Sequence, residues 1–531
     1  MLSMSASVSD DSSRCVQGEN ICLKFRKELC TACTRLSEST TKIAQAKEVL
    51  ENLYEEHEKL KAEAKSRHTF PINHLPYEVA SRIFGHCMRP LPTLSNYNDN
   101  NAWCDNGHSD FLQYKLGAVC RRWRNVVWGD PHLWNVICLR LNTATPKSLV
   151  VEFGHWLSRA GQLPLYIHIH WGGELDYPNG IKRTLVQAVM EPVTQVLNTV
   201  ASRFEILFLH IPGYWVSQLH NGPLNSNRSS SLKGLTLEPC QFQGARKHVA
   251  RINLGATPNL RHLVVSAYYL SNLKIDWSRI THFGGEHLTV EECFDILRCA
   301  PLLEQCRFTS VMSSEDSPPT NLILPNLKVL ELQRASETLY LSITSPNLQK
   351  LLLSKATSWE VCMELVTRSG CSLKVVSLID MPHDFNDDLI QFLSLTPCLH
   401  DLHLTNTVSP QFLAIFNATM FWRKNDDPPT LLPELQCLMY KGSGKNDILP
   451  SIISHFVPTI PRFKQANRRP LTQISFDVPG KPHYGQDRPI ASLSLQNVKQ
   501  IIDALRSGIK VVVKANGYDL LAHSMACYGM V

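Results

Sequence analysis

The sequence predicts an α/β protein: a helical front, followed by an irregular solenoid in which strands alternate with returning segments. Three observations predict it. A seven-residue apolar repeat runs from Leu29 to Leu60, two amphipathic pieces lie between Phe70 and Trp134, and a leucine pattern recurs from about residue 200 onward. The 531 residues suffice for more than one domain, and 44% hydrophobic against 19% charged content belongs to a folded chain.

Residues 1–20 are rich in Ser and Asp and are expected to be disordered. In 21–68, Leu29, Leu36, Ile43 and Leu50 share one heptad position, and Ala32, Ala46, Leu53 and Leu60 share another. Gly and Pro are absent from this run, Lys and Glu lie between the apolar positions, and Ser39 and His57 interrupt the seam. The pattern predicts a helix with a coiled-coil-like seam over about four heptads. Such a seam serves a homodimer through residues 29–60, or a single helix packed against the helical region 69–137 that follows it or left partly exposed. Cys30 and Cys33 form a lone Cys-x-x-Cys; without a second pair they do not complete a tetrahedral zinc site, and no metal is expected.

Residues 69–137 hold the two amphipathic pieces. Pro76 suits the first turn of a helix and Glu78 its positive end. Val79, Ile83 and Cys87 recur every four residues with Phe84 beside them, which makes one helical face apolar. In the second piece Leu116, Val119, Cys120, Trp123 and Val127 form a stripe flanked by Arg121, Arg122 and Arg124, and Pro131 ends the helix at Asp130. The intervening 88–114 is rich in Asn, Asp, Pro and Ser and reads as a solvated inserted loop, tolerated because closure entropy grows slowly with length. So few short helices do not bury this much aromatic and aliphatic surface alone. The surplus suggests a partner, or cover from the rest of the chain.

The run Leu75-Pro-x-Glu-Val-x-x-x-Ile-Phe84, followed by Val119-Cys-Arg-Arg-Trp-Arg-x-Val-Val127 and Asp130-Pro-x-Leu-Trp134, closely resembles the F-box, in the version abundant in a large fungal branch of that family. The resemblance covers about 65 of the 531 residues. It implies a module that joins a Skp-type adaptor, and through it a cullin, in a ubiquitin ligase. The side chains it assigns to adaptor binding are Leu75, Pro76, Val79, Ile83, Phe84, Leu116, Val119, Cys120 and Trp123.

Behind the F-box-like region, 138–200 reads as a linker or first repeat-like region, with strands at 136–141 and 165–171 and a helix at 148–160. His168 and His170 share one face of the second strand and are read as polar-facing rather than as metal ligands. In 201–470 the pattern Leu-x-x-Leu-x-Leu recurs nine times, starting at Phe204, Leu232, Leu260, Leu303, Leu327, Leu348, Leu373, Leu399 and Leu435. Its spacing matches leucine-rich repeats, whose units must stack to bury their leucines. Helices at 291–299 and 388–395 would be two of the returning segments. The Asn or Cys expected eight residues after the first leucine is found only as Cys240, so the solenoid should be degenerate, with eight or nine turns. Strand residues flanking the leucines then face outward; Arg307, Glu331, Gln333, Lys350, Ser354, Asp401, His403 and Thr405 are among them. Of these, Arg307, Glu331, Gln333, Lys350, Asp401 and His403 are the candidate target-binding residues. Residues 471–531 read as a last repeat or cap.

Lys and Arg exceed Asp and Glu by only 53 − 47 = 6, and no basic stripe interleaved with aromatics is found, so nucleic acid is not an expected partner. No run approaches the roughly 18 apolar residues of a membrane helix. The 17 cysteines are odd in number, scattered, and preceded by no signal-peptide pattern; reduced thiols in a cytoplasmic or nuclear protein are expected. Lys441-Gly-Ser-Gly-Lys445 lacks the first glycine of a Walker loop, where Met439 stands, and has Asn446 at the magnesium-binding hydroxyl position. Glu56-His57-Glu58 lacks the His-Glu-x-x-His spacing, and neither a nucleophile elbow nor a carboxylate pair stands out. The expectation is a non-enzyme without cofactor: a substrate-recognition subunit, with an unidentified protein bound by the repeats. The alternative is a scaffold acting outside any ligase, dimeric through its N-terminal helix.

Overall fold

The computed structural model describes residues 31–67, 75–88, 112–172, 181–212, 215, 231–238, 252–253, 257–312, 321–355, 358–381, 386–406, 415–416, 431–442, 470–478, 492–515 and 518–530. Several sequence features lie outside them: the 1–20 segment, Leu29 and Cys30, Cys240, nearly all of the 88–114 insertion, and residues 443–446. Contacts divide the chain into two units, Met1–Ala80 and Ser81–Val531.

The first unit holds α1 (Thr31–Arg67), 37 residues long and unbroken, as a run without Gly or Pro allows. Helix α2 (Tyr77–Cys87) starts in this unit and continues into the second. The Pro76 carbonyl accepts the Ala80 amide at 3.0 Å, closing the first turn behind a proline that has no amide of its own to satisfy.

In the second unit α3 (Leu112–Val119) and α4 (Arg121–Gly129) form a tight pair. A Cβ on Gly117 would come within 1.9 Å of the Trp128 ring, so the backbone of α3 lies directly on that indole. The Arg124 Nε donates back to the Gly117 carbonyl at 2.9 Å. Trp128, Trp134 and Tyr114 pack edge to face, with centroids 5.6 to 5.9 Å apart, and the Arg159 guanidinium lies 4.7 Å from the Trp134 ring. This aromatic knot ties the helices to α5 (Lys147–Arg159), and the Trp156 Nε1 donates to the Tyr114 hydroxyl at 2.6 Å.

Fifteen described strands form one sheet in which each pairs with the next. They are β1 (Val136–Leu141), β2 (Leu165–Trp171), β3 (Phe204–His210), β4 (Gly234–Leu237), β5 (His262–Ser266), β6 (His282–Glu286), β7 (Gln305–Thr309) and β8 (Val329–Gln333). The sheet continues with β9 (Lys350–Ser354), β10 (Val375–Ile379), β11 (Asp401–Thr405), β12 (Cys437–Lys441), β13 (Gln473–Val478), β14 (Lys510–Ala515) and β15 (Tyr518–Asp519). All pairings are parallel except the last. Helices lie between many of the strands: α6 (Ile181–Val200), α7 (Val290–Cys299), α8 (Glu337–Ser342), α9 (Trp359–Ser369), α10 (Asn386–Ser394) and α11 (Leu495–Arg506). Helix α12 (Leu520–Cys527) follows β15. The fold is therefore mixed α/β with an N-terminal helix.

The leucine spacing places side chains in register across this sheet. Leu207, Leu235 and Leu263 sit side by side on β3 to β5, and Leu330, Leu351, Val376, Leu402 and Leu438 on β8 to β12; all are buried. All nine sequence copies coincide with strands. The sheet begins at Val136, in the region read as a linker or first repeat-like segment with strands at 136–141 and 165–171: β1 and β2 pair directly with each other and β2 with β3. It also contains β6, inside the 43-residue gap between the copies starting at Leu260 and Leu303. There Ile280 and Phe283 stand at the first two leucine positions and Gly285 at the third. A Cβ on Gly285 would come within 2.4 Å of Leu288 Cδ1, so the side chain of Leu288, further along the chain, fills the missing leucine's place.

Each strand from β5 to β11 ends the same way. The next residue (Ala267, His287, Ser310, Arg334, Lys355, Asp380 and Asn406 in turn) takes a left-handed conformation with φ between 50° and 57°. Its amide donates to the end of the following strand, as Arg334 does to the Ser354 carbonyl at 2.9 Å and Lys355 to that of Ile379 at 3.0 Å. The chain thereby turns off the sheet while the ladder gains one more bond.

Candidate functional site

Two surfaces carry the residues singled out from the sequence: the helical front and the open face of the sheet. In the first unit, Leu75 is half-buried while Pro76 and Val79 are exposed, Val79 to 42%. Tyr77 beside them is exposed to the same degree.

In the second unit the candidates separate. Val119, at the end of α3, is 61% exposed, and Ile83, Leu116 and Trp123 are half-buried. Phe84 is only 1% exposed, its ring 4.8 Å from that of Trp123. The sequence reading placed Phe84 on a face open to a partner. The structure corrects this: helical spacing shows that a face is apolar, not what covers it, and here Trp123 supplies the cover. Cys120 has a local task, since its Sγ accepts the Trp123 amide at 3.4 Å as the N-cap of α4.

Asp130 fixes the end of this region. It caps the short turn Pro131–Leu133, accepting the His132 amide at 2.9 Å, and also accepts the Ser81 hydroxyl of α2. Burial pushes the Asp130 carboxyl up, but the bonds from Ser81 and His132 outweigh it and hold the group below its ordinary value. The Asp-Pro pair of the sequence thus ends α4 and pins α2 at once.

On the sheet, alternate residues of each strand face away from the leucine side. The candidates Arg307, Glu331, Gln333, Lys350, Asp401 and His403 all lie on this open face. At its centre Glu331 is buried between two cations, with its carboxylate 3.9 Å from Arg307 Nε and 3.4 Å from Lys350 Nζ. Burial makes Glu331 the keeper of the two cations rather than a contact residue. Gln333 and Asp401 are half-buried, and His403 Nδ1 lies 3.2 Å from the Ser377 hydroxyl.

Toward β2 the same face changes character. Ile206 and Phe208 are buried there and pack with Tyr166 and Val264. Histidines surround this patch. His170 stacks on His210 at 4.5 Å, His168 lies 5.2 Å from the Phe208 ring, and His262 stacks on His282 at 3.9 Å. Burial lowers the basicity of His170, His210, His262 and His282; the His210 ring is depressed to about 4 and the His262 ring to about 3, with neighbouring histidines adding to the effect. Sequence reasoning missed this half. The available signal was β3 itself, where Ile206, Leu207, Phe208 and Leu209 are apolar on both faces of the strand.

His168 and His170 do share a face, as read from the sequence. Among the described residues no group of three His, Cys, Asp or Glu is arranged to hold a metal ion. Nor is any described helix long and apolar enough to cross a membrane. Compared with protein-family models and with curated proteins, the chain matches none.

Proposed function

We propose that this chain is the substrate-recognition subunit of a cullin-RING ubiquitin ligase, with the F-box-like helices docking on a Skp-type adaptor. On this reading the sheet is the inner surface of a degenerate leucine-rich-repeat solenoid, and its open face holds a target protein. The observation that carries the docking half is Val119. It stands 61% exposed within the motif, beside the half-buried Leu116 and Cys120, which is where a partner gains apolar area without unfolding the module. Pro76 and Val79 offer the same at the start of α2. The chain-order parallel sheet, with one left-handed turn after each strand from β5 to β11, supports the solenoid reading.

No bond is made or broken by this chain. Holding a target lysine near a charged conjugating enzyme raises the effective concentration of the two reacting groups, and that is the whole contribution asked of a receptor. The target surface is mixed: Arg307 and Lys350, held by Glu331, with Asp401 near the middle of the sheet, and the apolar and histidine patch toward β2.

The test uses exposed positions, so loss of binding is not loss of fold. Val119→Glu combined with Val79→Glu, in the full chain, should abolish co-purification with the adaptor while leaving the thermal midpoint within a few degrees. Adaptor binding at unchanged affinity by this variant overturns the docking assignment.

A further inference from the structure

Helix α1 presents a seam to solvent. Leu36, Ile43, Leu50, Leu53 and Leu60 recur at its first and fourth heptad positions, and each is between 54% and 69% exposed. The helix is 37 residues long, about 55 Å at 1.5 Å per residue. Five large apolar side chains along such a length are what a coiled-coil partner covers. Ser39 and His57 interrupt the seam at equivalent distances from its ends. At the flanking position just before the first heptad position the charges are segregated: Arg35 and Lys42 lie in the first half, Glu56 and Glu63 in the second, with Val49 between them.

We propose that α1 is the dimerisation element of this chain and that two copies of it pair antiparallel, with the dyad near Glu48. Ile43 then faces Leu53 of the second copy, Leu36 faces Leu60, and the two polar interruptions meet each other as Ser39 against His57. No apolar layer is spoiled by a polar residue opposite it. On the flanks, Lys42 meets Glu56 and Arg35 meets Glu63, each twice by symmetry, and Val49 meets its own copy across the dyad. The one unfavourable flanking contact is Lys47 against Lys47.

The parallel alternative also pairs the two interruptions but is poorer on the flanks. It stacks His57 on His57 and Ser39 on Ser39, and sets Lys42 against Lys47 of the other chain twice. Its one attractive flanking pair, Glu56 with Lys61, competes with the Glu58 carboxylate 3.1 Å from Lys61 Nζ within the same helix. Charge complementarity therefore selects both the occupant of the seam, a second copy, and its direction. The inference does not depend on the ligase reading.

Sedimentation of the full chain across a concentration series tests it. The wild type should pass from the 60.0 kDa chain to twice that mass as concentration rises. Ile43→Asp, at an exposed seam position, should leave only monomer. Lys42→Glu should weaken the dimer about tenfold, as two attractive pairs become repulsive, and adding Glu56→Lys should restore it. A wild type that stays monomeric overturns the proposal, as does an Ile43→Asp variant that still dimerises. Tighter association by Lys42→Glu, which relieves a repulsion only in the parallel pair, overturns the direction.

Discussion

His262 and His282 show how a single pair couples this sheet to pH. Their rings stack at 3.9 Å on the open face of adjacent strands, and His262 is buried. Burial and the neighbouring ring depress His262 to about 3, and burial lowers His282 despite the opposing pull of Glu304. In the unfolded chain both titrate near 6.5. Between those values the unfolded state binds more protons than the folded one, so stability must fall as pH drops below about 6.5 and is unaffected by this pair well above it. His170 and His210, also depressed, act in the same direction. The expected outcome is a denaturation midpoint that declines from pH 7.5 to pH 5, with a shallower decline in His262→Gln. Equal slopes for the two proteins, measured by urea unfolding, would remove the pair from the account.

At the scale of the element, the strand-to-return joint repeats from β5 to β11 while its residue changes each time. Ala267, His287, Ser310, Arg334, Lys355, Asp380 and Asn406 share one left-handed backbone conformation and no common chemistry. Only Asn406, Asp380 and His287 are of residue types enriched in it, and the Asn406 side chain donates to the Asp380 carboxylate at 2.7 Å. The joint was therefore invisible in the sequence, whereas the strands before it were legible because Leu-x-x-Leu-x-Leu puts every second side chain into the core. The strand β6 escaped for a related reason: Gly285 removed the marker leucine, and Leu288 replaced it from outside the pattern. Likewise Arg307, Glu331 and Lys350 could be placed on one face by alternation alone, but the burial of Glu331 and the cover over Phe84 depend on neighbours distant in sequence. A left-handed β-carbon costs roughly 1–2 kcal/mol, and glycine returns about half of that as lost unfolded-state restriction. Lys355→Gly, at an exposed joint, should accordingly stabilise the protein by up to about 1 kcal/mol in denaturant unfolding. A destabilised variant would mean that the Lys355 side chain holds its turn by contacts that outweigh the strain.

Across the whole molecule, the consequence of a sheet ordered strictly by chain position is that strands far apart in sequence never touch. Stability in such an array is a sum over units and their nearest interfaces, so damage should stay local in a way a single globular core does not permit. Gly285→Ala supplies the damage. Its new methyl would meet Leu288 at 2.4 Å and the Phe283 ring at 2.8 Å, both buried, and overpacking of this kind costs about 1–3 kcal/mol. The affected interfaces are β5 with β6 and β6 with β7. Native-state hydrogen exchange should therefore accelerate in β5 to β7 and in α7, whose Val290 and Phe294 are buried, while β13 and β14 keep wild-type protection. Three nearby strands speeding up while two distant ones do not is a pattern that global destabilisation cannot produce. Acceleration by the same factor from β1 to β14 would show that the fifteen strands unfold as one cooperative body, and would remove nearest-neighbour stacking as the basis of the fold.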